Sequence, residues 1–136
     1  MTEKHPNIRL IETFFNAYAR ADFEGMKHVM IASVKWHIPG NHPYSGTKHG
    51  VNELMEYFEK LHQFGFKAEQ LVIGVNDTYV IDCHRNWSTS SGKYTLNAMS
   101  CLLWKIEENK IVEVYNFPQQ QDVVDDFFNK ASSVNS

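Results

Sequence analysis

The 136-residue chain is poor in the features that staple, anchor or charge a protein from outside its core. It has two cysteines, Cys83 and Cys101, too few for a disulfide scaffold or a two-plus-two cysteine metal site. Each lies inside an apolar run, which reads as a buried, reduced thiol. Positive charge is not in excess: 13 Lys and Arg stand against 16 Asp and Glu, for a formal charge of −3 and a pI near 6.1. Phosphate-backbone binders carry clustered Lys and Arg, so nucleic acid is not an expected partner. No apolar run approaches the ~18 residues of a membrane span, so no membrane partner is expected. Glu3, Arg9, Glu12 and Arg20 interrupt the opening stretch, which argues against a secretory signal and for a cytoplasmic protein. Gly-rich phosphate loops, Gly-x-Ser-x-Gly elbows and His-Glu-x-x-His helices are all missing. Nucleotide cofactors and serine hydrolysis are therefore disfavoured, and no cofactor is expected.

What the chain has is bulk. Apolar residues make up 43% of it, and nine Phe, six Tyr and three Trp need a place out of water. One globular domain over 1–136 follows, with an ordered core from about 6 to 130. Ile8, Ile11, Phe14, Phe15, Tyr18 and Ala19 recur at helical spacing, which predicts an amphipathic helix after Asn7. Asp22 reads as the N-cap of a second short helix through about Ile31, carrying Phe23, Met26, Val29 and Met30. Val34, Trp36 and Ile38 alternate as a strand that Pro39-Gly40 ends, and a breaker-rich loop runs to Gly50. Val51, Leu54, Met55, Phe58 and Leu61 predict a third helix to about Phe64, its Met and Phe stripe being core.

Beyond Phe66 the texture is β-branched and aromatic. Runs 66–75, 79–89, 94–106 and 111–117 are separated by Asn76-Asp77, Ser90-Ser91-Gly92 and Glu108-Asn109, and they read as four consecutive antiparallel strands. Helices followed by strands predict an α+β fold, with helices covering one face of a curved antiparallel sheet. Val123, Val124, Phe127 and Phe128 predict a short terminal helix within 119–129, and residues 132–136 are expected to fray.

Several polar residues stand out in this frame. In the 79–88 strand one phase reads Val80, Asp82, His84, Asn86, Ser88, and the other Tyr79, Ile81, Cys83, Arg85, Trp87. Either the polar phase faces water, or it faces an interior where a carboxylate beside an imidazole suits acid/base work. Tyr18 either anchors its helix or aims its hydroxyl inward. Asn116, in phase with Val114, either caps a turn or presents donors to a ligand. His37, His42 and His49 match no common metal spacing and read as surface-loop histidines, so no metal is expected.

The order of elements resembles the nuclear transport factor two-like superfamily, and within it the SnoaL-like proteins. The resemblance rests on Phe14-Phe15-Asn16-Ala17-Tyr18 followed by Ala21-Asp22-Phe23-Glu24, and on Trp36-His37-Ile38-Pro39-Gly40 with Pro43, Gly46 and Gly50. It continues through Lys110-Ile111-Val112-Glu113-Val114 and Phe117-Pro118-Gln119-Gln120-Gln121-Asp122 to Asp126-Phe127-Phe128. It implies a cone-shaped sheet with N-terminal helices packed on its concave face, enclosing a pocket. Ketosteroid isomerases of this superfamily use a carboxylate base with Tyr and protonated Asp as oxyanion donors. Sliding their pattern along this chain puts Phe14, Ile38 and Leu102 at those positions, and none of the three transfers a proton. Asp82 with Arg85 is an incomplete version of the epoxide hydrolase pattern, and His84 with Asp82 or Tyr18 a distant echo of scytalone dehydratase.

The resemblance also implies that the 79–88 strand turns its polar phase into the cone. His84 then becomes a general acid or base oriented by Asp82, with Asn86 as a hydrogen-bond donor and Asn116 or Tyr18 polarising an oxygen. Trp36 and Ile38 become the pocket wall, the other reading of that strand face being plain core. The implied activity is cofactor-free proton transfer on a small apolar cyclic compound, by an isomerase, cyclase, dehydratase or hydrolase. The alternative is a non-catalytic domain that binds a hydrophobic small molecule or a protein partner. A homodimer is expected, because Tyr79, Trp87, Leu103 and Tyr115 lie opposite the expected cavity and need cover.

Overall fold

The structure is a computed structural model that describes residues 4–90 and 92–134. Helices α1 (Pro6–Ala19) and α2 (Phe23–His28) form a hairpin, and the Asp22 carboxylate caps α2 by accepting from the Gly25 amide at 2.9 Å. Strands β1 (Met30–Ile38) and β2 (Gly46–His49) follow, then α3 (Gly50–Gln63). Strands β3 (Lys67–Val75), β4 (Tyr79–Trp87), β5 (Asn97–Glu107) and β6 (Lys110–Pro118) form an antiparallel meander, and α4 (Gln121–Val134) closes the chain. The curved, unclosed sheet has the order β2-β1-β6-β5-β4-β3.

Four expectations are corrected by this architecture. The sheet is mixed, because β1 runs parallel to β6, with Trp36 opposite Val114 and His37 opposite Tyr115. The second helix stops at His28: Met30 pairs with Ile111, and the Val29 carbonyl accepts from the Ile111 amide at 2.9 Å. Val29 and Met30 fit a helical period, but their β-ladder partners on β6 override it. The breaker-rich loop holds the short edge strand β2, which pairs with β1 from Lys35 to Ile38. Finally, α4 runs through Ser132, whose hydroxyl sits 3.2 Å from the Tyr44 hydroxyl, to Val134. The rest of the stretch expected to fray, 135–136, lies outside the described residues, as does Ser91 of the predicted turn.

Two apolar clusters fill the interior. The larger packs α1 and α3 on the sheet, around Ile11, Phe14, Leu54, Val80, Trp104 and Ile111. The smaller gathers Phe64, Phe66 and Leu96 under Phe127, Phe128 and Ala131 of α4. A turn at Gly40 (φ +105°) fixes the seat of α4. A Cβ there would fall 2.1 Å from Gln121 Nε2 and 2.3 Å from Asp125 Oδ1, side chains that bond the Pro39 carbonyl and the Asn41 amide.

Candidate functional site

Strand β4 turns its polar phase inward. Asp82 is fully buried and His84 is 7% exposed, whereas Ile81, in the other phase, is 46% exposed. Asp82 Oδ2 lies 3.2 Å from His84 Nδ1, and Asp82 Oδ1 accepts from Trp104 Nε1 at 2.8 Å. Trp104 stands on β5 two residues from Leu102, the partner of Asp82, so antiparallel register supplies the diagonal contact. An ionised carboxylate only accepts hydrogen bonds, so the proton between Asp82 and His84 rides on Nδ1. The neutral ring then has Nε2 as its acceptor nitrogen. Phe15 packs edge-on against the imidazole at 6.3 Å.

Beside this pair is a cavity of about 120 Å³. Its apolar wall includes Phe14 and Phe15 of α1, Trp36 of β1, Phe58 of α3 and Phe128 of α4, while Tyr18, His84, Asn86, Ser100 and Asn116 supply polar atoms. Asn86 donates to the Ser100 hydroxyl at 3.0 Å. The Asn116 amide makes no side-chain hydrogen bond among the described residues and is open to a ligand. Tyr18 donates its hydroxyl to the Phe66 carbonyl at 3.3 Å, while its ring lines the cavity and lies 4.5 Å from the His62 ring. Burial pushes the Tyr18 phenol well above the ordinary tyrosine range, so it stays protonated and keeps that bond.

The cavity meets an outer groove of about 800 Å³ between α1 and the start of β3. Phe15, Tyr18, Phe66, Lys67 and Ala68 line both, and the groove adds Arg9, Glu12 and Gln70.

The structure therefore brings Tyr18, Trp36, His84, Asn86 and Asn116 around one cavity, with Asp82 behind His84. Ile38 is not among them: it is 5% exposed, packed in the core, and does not line the cavity. The reason is that β1 passes the cavity at Trp36 and its end lies beyond. Of the other ketosteroid isomerase positions, Phe14 and Leu102 line the cavity with hydrocarbon. Sequence reasoning did not find Trp104, Ser100 or Lys67. The alternation Ser100, Leu102, Trp104 is the signal that could have placed the first two on the inner face.

The histidine and cysteine readings need correction. His42 is not a surface-loop residue: it is 8% exposed, its ring 4.7 Å from Phe128, because α4 folds over the loop. His37 is half-buried and ties β1 to its neighbours, with Nε2 2.5 Å from Glu113 Oε2 and Nδ1 2.8 Å from Thr47 Oγ1. That bond holds the Glu113 carboxyl below its usual range. Among the described residues no group of three His, Cys, Asp or Glu is placed to hold a metal ion. Cys83 and Cys101 are half-exposed on the outer face rather than buried, because they belong to the phase opposite Asp82 and His84.

A curved sheet with α1 and α3 on one face and an aromatic cavity between them defines the nuclear transport factor two-like class of fold. Within that class the chain belongs to the SnoaL-like domain family, whose model matches residues 11–114. Solved structures agree on the fold. Bal32a, from a soil-derived mobile gene cassette, superposes with a TM-score of 0.84 at 21% identity, over 90% of this chain and 96% of its own. A protein of unknown function with a cystatin-like fold from Xanthomonas campestris gives 0.80 at 25% identity, over 90% and 97%. TerC, co-crystallised with polyporic acid, gives 0.80 at 18% identity, over 91% and 98%. No curated protein matches the sequence at significance.

Proposed function

We propose that this chain, a single SnoaL-like domain, is a small-molecule enzyme that moves a proton by cofactor-free general acid/base catalysis on a largely apolar cyclic compound. The observation that carries the reading is the buried Trp104–Asp82–His84 chain ending at an aromatic cavity. Asp82 fixes the imidazole and stabilises its charged form, and Nε2 takes or gives the proton. Asn116, with its amide unengaged, polarises a substrate oxygen, and Trp36 forms the wall in place of the Trp36–Ile38 pair. Tyr18 anchors α1, its hydroxyl proton being held by Phe66.

The cavity is smaller than the ~300–1,000 Å³ of ordinary ligand pockets. It takes one ring of a substrate at His84, while the remainder lies past Phe15, Tyr18 and Lys67 in the outer groove. That TerC was crystallised with polyporic acid supports a cyclic organic ligand for a chain of this fold.

Nitrobenzisoxazole, an apolar bicyclic compound that opens when a base removes its ring proton, tests the reading without knowledge of the natural substrate. The wild-type chain accelerates the opening over buffer, and His84→Gln lowers the rate about 10²-fold or more with binding retained. Equal rates for the two proteins, with the probe bound, would leave a non-catalytic binding domain.

A homodimer through the outer face of β3–β6 belongs to this proposal. Val72, Ile81, Met99 and Phe117 are exposed there, at 61%, 46%, 37% and 54%. A cytoplasmic setting is also part of it. No helix among the described residues is long and apolar enough to cross a membrane.

A further inference from the structure

Cys83 on β4 and Cys101 on β5 are directly opposed in the antiparallel register, with their sulfur atoms 2.7 Å apart. Directly opposed residues in such a ladder lie about 4.5 or 5.5 Å apart at Cα, inside the ~4.4–6.8 Å that a disulfide spans. No backbone movement is needed to join them. Both thiols are free and half-exposed, on the face that also presents Val72 and Phe117, their other cross-strand neighbours. The residues that flank them in sequence face the other way: Asp82 and His84 on β4, Ser100 and Leu102 on β5.

We propose that Cys83 and Cys101 are a reversible redox modification site, closing a disulfide within one chain on the reverse side of the strand pair that carries Asp82 and His84. The oxidant is a small disulfide of the glutathione class. The Cys83 thiolate attacks one sulfur of that disulfide, forms a mixed disulfide and expels one small thiolate. The Cys101 sulfur then attacks Cys83, the Cys83–Cys101 bond forms, and the second small thiolate leaves. Two protein thiols are oxidised, one small disulfide is reduced to two thiols, and the two protons pass to the departing thiolates or to solvent. Chiefly through its bond to Cys83, the Cys101 thiol is pushed up to about 11; the exchange balances equally with the two sulfurs in the opposite roles. Covering of this face by a second copy slows entry of the oxidant but does not change the product, since the two sulfurs already touch within one chain.

The bridge would fix the spacing of β4 and β5 at the level of the imidazole, so that its state is felt at His84. This second half rests on the reading of His84 given above; formation of the bridge does not.

The test treats reduced, full-length protein with oxidised glutathione, then alkylates and measures intact mass and non-reducing mobility. The expected product has lost two hydrogens, migrates as a single chain, takes no alkylating reagent and returns with dithiothreitol. Cys83→Ser and Cys101→Ser each abolish it. Unchanged mass with both thiols alkylated, a stable glutathione adduct on the wild type, or a disulfide between chains overturns the proposal. The His84 ring signals in proton NMR are expected to differ between reduced and oxidised wild type, and to stay put in the double variant Cys83→Ser, Cys101→Ser carried through the same treatment. Identical His84 signals in bridged and reduced protein overturn the coupling while leaving the bridge.

Discussion

At the scale of single residues, the candidate site depends on a buried carboxylate with two side-chain partners, Trp104 and His84. Replacing Trp104 by Phe leaves Asp82 Oδ1 without its donor at 2.8 Å. An unsatisfied buried acceptor costs about 1–3 kcal/mol, so the unfolding free energy measured in urea falls by that amount and nitrobenzisoxazole opening falls with it. A Trp104→Phe variant with unchanged stability would show that Asp82 does not rely on the indole. His42 and His62 have their pKa lowered, in both cases first by burial. In the window below about 6.5 the folded chain then holds fewer protons than the unfolded one, so stability rises with pH and is lost as pH falls. The melting temperature is expected to drop from about pH 7 to 5, and less steeply in His62→Leu; an equal slope would remove His62 as a cause. That β4 has a polar phase is legible in the sequence, since Asp82, His84 and Asn86 alternate with bulky residues, but the alternation alone leaves open which phase faces inward. Trp104 is not legible, because a tryptophan among leucines looks like plain core until cross-strand register assigns its N–H a partner.

Among the elements, those with a strong local period are the legible ones. The amphipathic stripes of α1 and α3 and the alternation of β4 to β6 carry their own signals. What the sequence hides is decided by distant partners: Met30 is held in β1 against Ile111 of β6, and β2 pairs with the β1 edge. The same distance effect turned His42 from a loop residue into one buried under α4. Gly40 is where that helix is seated. Gly40→Ala must hold φ near +105° with a Cβ against Gln121 and Asp125, at a strain of order 1–3 kcal/mol. Chemical denaturation is expected to show that loss, together with faster amide exchange in the first turn of α4. Exchange unchanged there would mean that the turn does not hold the helix.

For the whole molecule, the proposed dimer rests on the outer face of the sheet. Val72 and Phe117 lie on it at the level of Cys83 and Cys101, and charges placed there oppose self-contact. Sedimentation is expected to give a dimer for the wild type at micromolar concentration and a monomer for Phe117→Lys. A wild-type monomer would leave the face for some other use. The parallel pairing of β1 with β6 has its own consequence in time. The strand formed first from the N-terminal side must wait for nearly the last one before its inner edge is filled, since Trp36 meets Val114 and Lys35 meets Glu113. Contacts so far apart along the chain close slowly, because a long loop must be ordered before the ladder stabilises it. During synthesis α1, α2 and β1 therefore emerge with Val34 and Trp36 uncovered. The sheet completes only after Lys110–Pro118 has cleared the ribosome, so a nascent chain halted earlier would offer an open strand edge to chaperones.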